Sequence, residues 1–305
     1  MRPCADRDRT DWHYVPRSRN GISLKELDPR ARDAVHALLK TALSAVGYRK
    51  VVNIIELELV LREMETFGAM RDPERYYVTV YGVPKANDRW GWRFEGHHLS
   101  LNFTLAGDRL VVDTPSFLGA NPATVMTGTR KGLRVLGEEQ DAGWALLDSL
   151  TDVQRGEAVI SARTYGDIVT SNRDRVEPLD AAGIPASKLD ERQRALLWTL
   201  IEVYARSFEA GLAEARLARA REGGIGNLRF GWAGSITRGA PHYYRVQSRQ
   251  FLIEHDASQD GGNHVHTVWR DYAGDFGREL PNVGAFGRDL LRDHYVSSQG
   301  TSHRH

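Results

Sequence analysis

The stretch FLIEHDASQDGGNHVHTVWRD, residues 251–271, reads as two β-strands joined by a polar, glycine-bearing turn. Side chains alternate across a strand. Phe251, Ile253, Val265 and Trp269 therefore gather on one face, with Glu254, Asp256, His264 and His266 on the other. The first set has the make-up of a core surface. Placing Asp256 opposite His264 sets Glu254 opposite His266 and Leu252 opposite Val268, bringing two imidazoles and two carboxylates within cross-strand reach. The Cβ atoms of His264 and His266 are then about 6.5 Å apart. Both rings can reach one metal ion through N–metal bonds of about 2.0 Å. Burying two imidazoles side by side without a shared purpose is costly, which favours a metal over coincidence.

Working outward, the rest of the chain alternates between helical and strand texture. Asp28-Pro29 opens a helix whose Val35, Leu38, Leu39 and Leu43 keep helical spacing as far as Gly47. A second helix is expected from Tyr48 to Gly68, so helices occupy residues 28–67. Short β-rich runs punctuated by Gly, Pro, Asn and Asp predict an antiparallel meander over residues 76–113. Helices return over residues 137–222, one opening at Thr151 with Gln154 at capping-box spacing. A Gly-, Pro- and Asp-rich connection covers residues 163–188. Asp190 then caps one long helix, with Leu196, Leu197, Leu200, Ile201, Tyr204 and Phe208 as its apolar stripe, running to Gly223-Gly224. Residues 227–271 are β again. This order predicts an α+β fold, antiparallel β-sheets packed against long helices in a single compact domain, residues 28–295. A flexible N-terminal segment, residues 1–27, and a disordered tail, residues 296–305, flank it. The long helix covers one sheet face and leaves the other for a site.

Composition narrows the function. The chain has 305 residues, with 41 basic and 40 acidic side chains, a formal charge of +1 and a single cysteine. That balance argues against a nucleic-acid partner. Cys4 alone excludes a cysteine-based zinc site and an intramolecular disulfide. No apolar run approaches the roughly 18 residues of a membrane span. No signal-like stretch opens the chain, so a cytoplasmic location is expected, although a removed export signal would leave no trace. Neither a phosphate-binding loop nor a nucleophile elbow occurs. His303 and His305 in the tail read as solvated.

Other strands add candidates. In GWRFEGHHLSLNFTL, residues 91–105, His98 shares a polar face with Ser100 and Asn102, while His97 falls with Leu99, Leu101 and Phe103. In PHYYRVQ, residues 241–247, His242 and Tyr244 lie on one side and Tyr243 and Arg245 on the other. The metal-ligand set is thus His98, His242, His264 and His266, supported by Glu254 with Asp256 in reserve. Imidazole and carboxylate donors suit Zn, Fe, Mn or Cu alike. Glu254, Arg270 and Tyr244 are candidate catalytic residues, and Asn102, Arg245 and Trp92 candidate substrate contacts, the arginines being suited to a carboxylate. Plainer readings exist: His242 as a hydrogen-bonded strand residue, Glu254 as a partner of Arg270, the Trp and Tyr residues as core.

WRFEGHHLSLNFT, PSFLGANPATV, PHYYRVQ, FLIEHD and NHVHTVWRDYAGDFG, in that order, resemble the bacterial and fungal family catalogued as domain of unknown function 3500. The resemblance runs from about residue 30 to about residue 277. It implies that His98, Asn102, His242, Glu254, His264, His266 and Arg270 belong to what the family shares, and it carries no activity. The leading expectation is a mononuclear metal-dependent enzyme with one Cu, Fe or Zn ion, acting on a small polar or anionic substrate. Fe or Cu oxidoreduction is narrowly favoured, because the site is His-rich and set among Tyr and Trp. The alternatives are a zinc-dependent hydrolase using Glu254 as general base and a non-catalytic binding module with an aromatic cleft. A small-molecule partner is expected, with no membrane partner and the oligomeric state left open.

Overall fold

The structure, a computed structural model, describes residues 1–5, 7–65, 71–85 and 88–278. Expectations for residues 279–305, including His303 and His305, lie outside the described residues. Helix α1 (Pro29–Ala42) starts as its sequence demands: the Asp28 carboxylate accepts the Ala31 N–H at 2.7 Å, with Pro29 in the first turn. The break before α2 (Ala45–Met64) falls at Leu43-Ser44 rather than at Gly47, because the Ser44 hydroxyl caps α2. Gly47 sits in that first turn because a Cβ there would lie 1.7 Å from the Ser207 carbonyl oxygen. Further along come α3 (Gly137–Ser149), α4 (Asp152–Ala158) with the Thr151/Gln154 capping box, and α5 (Glu191–Ala205) with an Asp190/Gln193 box. The expected long helix is in fact two. It stops at Arg206, and the Glu209 carboxylate caps α6 (Ala210–Glu222) by accepting the Gly211 N–H at 2.8 Å. The apolar stripe survives the break, with Phe208 buried beside α1 through a bridge to Leu43.

The strands are β1 (Ile22–Ser23), β2 (Tyr77–Tyr81), β3 (Arg89–Gly96), β4 (Leu99–Ala106), β5 (Arg109–Val112), β6 (Ser116–Ala120), β7 (Val159–Ser161), β8 (Ile184–Pro185), β9 (Arg229–Gly234), β10 (His242–Gln247), β11 (Phe251–Gln259) and β12 (His264–Asp271). They form one twelve-stranded mixed sheet, not two, in the order β1-β2-β3-β4-β6-β12-β11-β10-β9-β7, with β5 beside β4 and β8 beside β9. β6, which lies beyond the meander expected over residues 76–113, joins the halves: Leu118 pairs with Leu99 of β4 on one side and with Thr267 of β12 on the other. The β11–β12 register also differs from expectation. Asp256 lies opposite His266, Glu254 opposite Val268 and Leu252 opposite Arg270, after an irregularity between Asp256 and Gln259. The slide is two residues, so each side chain keeps its expected face.

Helices cover one face of the sheet. α1 and α2 bury Trp92, Phe94, Leu99, Leu101 and Phe103 there, while α3, α5 and α6 bury Phe230, Trp232, Tyr244, Ile253 and Trp269. On the other face Trp12 and Tyr14 pack with Phe117, Ile168, Val268 and Phe276. The N-terminal segment is therefore not a loose arm: Trp12 is 0% and Tyr14 3% exposed. Arg9 ties it down further, donating to Thr104 Oγ1 at 2.6 Å and to the Phe276 carbonyl at 2.8 Å. No described helix is long and apolar enough to cross a membrane.

An aromatic column crosses the helix-covered side. His242 stacks on Trp232 with centroids 5.1 Å apart and on His255 at 5.5 Å, and His255 stacks on Tyr244 at 4.7 Å. His242 Nδ1 donates to the Ala240 carbonyl at 2.8 Å, but His242 Nε2 and both His255 nitrogens are buried without a partner among the described residues. Burial lowers the pKa of both, that of His255 to well below the ordinary histidine value, with His242 adding to the effect. The unfolded chain binds these protons near pH 6.5 and the folded chain does not. Stability is thus present above that pH and lost as pH falls below it. Urea unfolding at pH 7 and pH 5 should show His255→Phe, which keeps the stack, removing about 2 kcal/mol of the wild-type loss between the two.

Candidate metal centre

The face of the sheet turned away from the α-helices carries the histidines. β12 begins at His264 after a tight turn in which Asp260, Gly261 and Gly262 all take positive φ (50°, 66° and 96°). Asn263 pins the end of that turn, its side-chain oxygen accepting the Thr124 N–H at 2.8 Å. His264 and His266 then share a face by alternation. His98 is not a strand residue, as expected from sequence, but sits in the β3–β4 hairpin turn with φ of 60°. Such a conformation costs a non-glycine residue about 1 kcal/mol. Two backbone bonds hold it: His98 N–H to the Tyr14 carbonyl at 2.8 Å, and Gly119 N–H to the His98 carbonyl at 2.7 Å. Gly119 also makes room, since a Cβ there would lie 3.0 Å from His98 Cδ2.

These elements bring three imidazoles together. His264 Nε2 lies 2.9 Å from His98 Nε2 and 3.1 Å from His266 Nε2. Their outer nitrogens face carboxylates: His266 Nδ1 is 2.6 Å from Asp167 Oδ1, and His264 Nδ1 is 3.2 Å from Asp260 Oδ2. With Nδ1–H donated outward, the inner Nε2 atoms of His264 and His266 are lone pairs pointing at one another. A single proton could bridge only one of the two inner contacts. One cation satisfies all three nitrogens, and tetrahedral ligands on bonds of 2.0–2.1 Å stand about 3.3 Å apart, within a few tenths of the spacing found. The donor set therefore fits a transition metal ion. Burial, then neighbouring His97 and His266, hold the His98 pKa well below its ordinary value, while burial followed by His266 pushes His264 down to about 4. Neutral imidazole is the form that ligates.

The braces have their own supports. Tyr14 donates its hydroxyl to Asp167 Oδ2 at 3.0 Å, and its ring meets His266 edge-on at 5.1 Å. Burial works to raise Asp167, yet the bonds from His266, Ile168 N–H and Tyr14 keep it below the ordinary carboxylate value. Asp256, facing His266 across the strands, is pushed up to about 6 by burial against its Ser258 hydrogen bonds. The Asn121 amide donates to Asp260 at 3.4 Å. Behind His98, the His97 ring stacks at 3.8 Å and reaches Glu58 Oε1 at 2.5 Å, instead of joining the apolar face.

The other sequence candidates lie apart from this cluster. His242 is on the opposite face of the sheet, in the aromatic column, so it cannot join the three. Tyr244 is there too, its hydroxyl donating to the Glu139 carbonyl at 2.8 Å and meeting that of Tyr204. Trp92 packs in the helix-covered core on Phe103 at 4.1 Å. Glu254 is on the site's face, but its carboxylate is spent: it accepts from Val169 N–H at 2.6 Å, Thr170 N–H at 3.1 Å, the Thr170 hydroxyl and Tyr243 hydroxyl at 2.9 Å. It anchors the loop that carries Asp167. Arg245 pairs with Asp180 at 2.6 Å, and Arg270 with Asp275 at 2.6 Å beneath Trp12. Asn102 donates to the Pro115 carbonyl at 2.9 Å. Sequence reasoning missed Asp167, Asp260, Asn121 and Tyr14. Asp260 reads as turn chemistry and Asp167 as connection, and neither spacing signals a histidine partner.

Among known proteins, the family model described as a protein of unknown function, DUF3500, matches residues 1–278, and the chain belongs to that family. No curated protein and no solved structure matches it.

Removing a carboxylate that orients a ligating histidine weakens metal binding about 10- to 100-fold. Asp167→Ala should do so in competition with a chromophoric chelator. Gly119→Ala should give a comparable loss by displacing the His98 ring, and a variant that binds as tightly as wild type would refute that role.

Proposed function

We propose that the chain is a mononuclear metal-dependent enzyme whose ion is held by His98, His264 and His266. The observation that carries this reading is the convergence of three Nε2 atoms, two of them backed by carboxylates. Three neutral ligands leave a position open, the arrangement of catalytic rather than structural sites. Bound there, Fe or Cu would supply redox chemistry, and Zn would supply Lewis acidity. The chain's own part is to fix the tautomers of His264 and His266, to hold His98 in its turn and to shield His266 with Tyr14 and Phe117.

Between the chemistries, Fe or Cu oxidoreduction is favoured, because the base expected for hydrolysis, Glu254, has its oxygens occupied by four donors. One observation supports the hydrolytic reading in altered form: Asp256, titrating near 6 opposite His266, suits a general base. The binding-module reading has less support, since of its aromatic residues Trp92, Trp232, Tyr243, Tyr244 and Trp269 are at most 3% exposed, leaving Trp90 and Tyr272 half-buried.

Elemental analysis of the chain purified without an affinity tag tests the proposal. About one Fe or Cu per chain is expected. His264→Ala with His266→Ala should abolish it, and His242→Phe should retain it. Stoichiometric Zn would select the hydrolytic form. Protein that carries no metal and takes none up would overturn both.

A further inference from the structure

Resting on the metal reading above, we propose that the open side of the centre admits an uncharged or cationic ligand and disfavours anions, with Asp260 as the residue that sets this preference. Three carboxylates surround the three imidazoles. Asp167 is bound by His266, Tyr14 and Ile168 N–H, Asp260 by His264 and Asn121, and Asp256 by the Ser258 hydroxyl and N–H. None of the three pairs with Lys or Arg among the described residues. One divalent ion against these three carboxylates does not leave the group with an excess of positive charge. The two arginines that could have received a carboxylate, Arg245 and Arg270, are committed to Asp180 and Asp275.

Exposure says where a ligand arrives. The side chains of His266 and His264 are 7% and 12% exposed, that of Asp167 is 37% and that of Asp260 is 62%. The approach therefore passes Asp260, whose charge any incoming ligand meets first. Of the small polar or anionic substrate expected from sequence, this disfavours the anionic form and admits a neutral or positively charged one.

The test uses the cobalt-loaded chain, with imidazole as neutral probe and azide as anionic probe, each titrated by visible absorption. Asp260→Asn keeps an oxygen that can accept from His264 Nδ1 and removes the charge. It should shift the azide-to-imidazole affinity ratio roughly tenfold towards azide. In wild-type protein, raising the concentration of a weakly coordinating salt should strengthen azide binding by screening the repulsion and leave imidazole unmoved. Azide binding that weakens with salt, or a ratio unchanged in Asp260→Asn, would overturn the inference. A chain that takes up no cobalt would instead sink the metal reading, and this inference with it.

Discussion

The pairing of β6 with both of its neighbours is the constraint on which the rest depends. Leu118 is paired with Leu99 on one side and with Thr267 on the other, and Gly119 lies opposite His266 while accommodating the ring of His98. Histidines 166 residues apart in the chain meet because one short strand sets both registers. A slip of a single residue in β6 would flip its side chains and set a bulky group where Gly119 leaves space. The bare backbone at that position is as much a part of the centre as the imidazoles.

The sheet divides its faces by function. Under the helices, apolar packing dominates, and the charges taken inside are paired: Lys50 of α2 reaches Glu139 of α3 at 2.6 Å with both buried. Removing either partner of such a pair is far more costly than the pair itself is stabilising. Among the described residues the other face carries no α-helix. Irregular chain covers it, pinned by buried carboxylates and arginines, with Glu254 holding Val169 and Thr170, and Arg270 holding the Arg173 carbonyl. Loops laid over a rigid sheet can bring acidic groups up to histidines at angles that a helix face could not, which is why the braces of the centre come from loops.

Much of this was legible in the sequence. Helix caps at Asp28, Thr151 and Asp190, the strand periodicity and the shared face of His264 and His266 all follow from local rules. What was not legible involves distant partners. The two-residue slide of β11 against β12 comes from an irregularity after Asp256 that no turn signal announces. The break at Arg206 hides inside an unbroken apolar stripe. Trp12 and Tyr14 lie among arginines and aspartates, so their burial shows only once Phe117 and Val268 are beside them. His242 satisfies every local criterion for a ligand, yet it is opposite Ala257 and so points to the wrong face. Strand parity decides that, and parity across non-adjacent strands needs the sheet order.

Tyr14 touches the centre twice, its carbonyl on His98 and its hydroxyl on Asp167. Nearby, Arg9 grips the carbonyl of Phe276 across 267 positions of sequence. Residues 9–14 are thus among the last to find their places, because Val268 and Phe276, which receive them, lie up to 267 positions further along the sequence. The three imidazoles therefore meet only at the close of folding, since two of them, His264 and His266, lie on β12 near the end of the described chain.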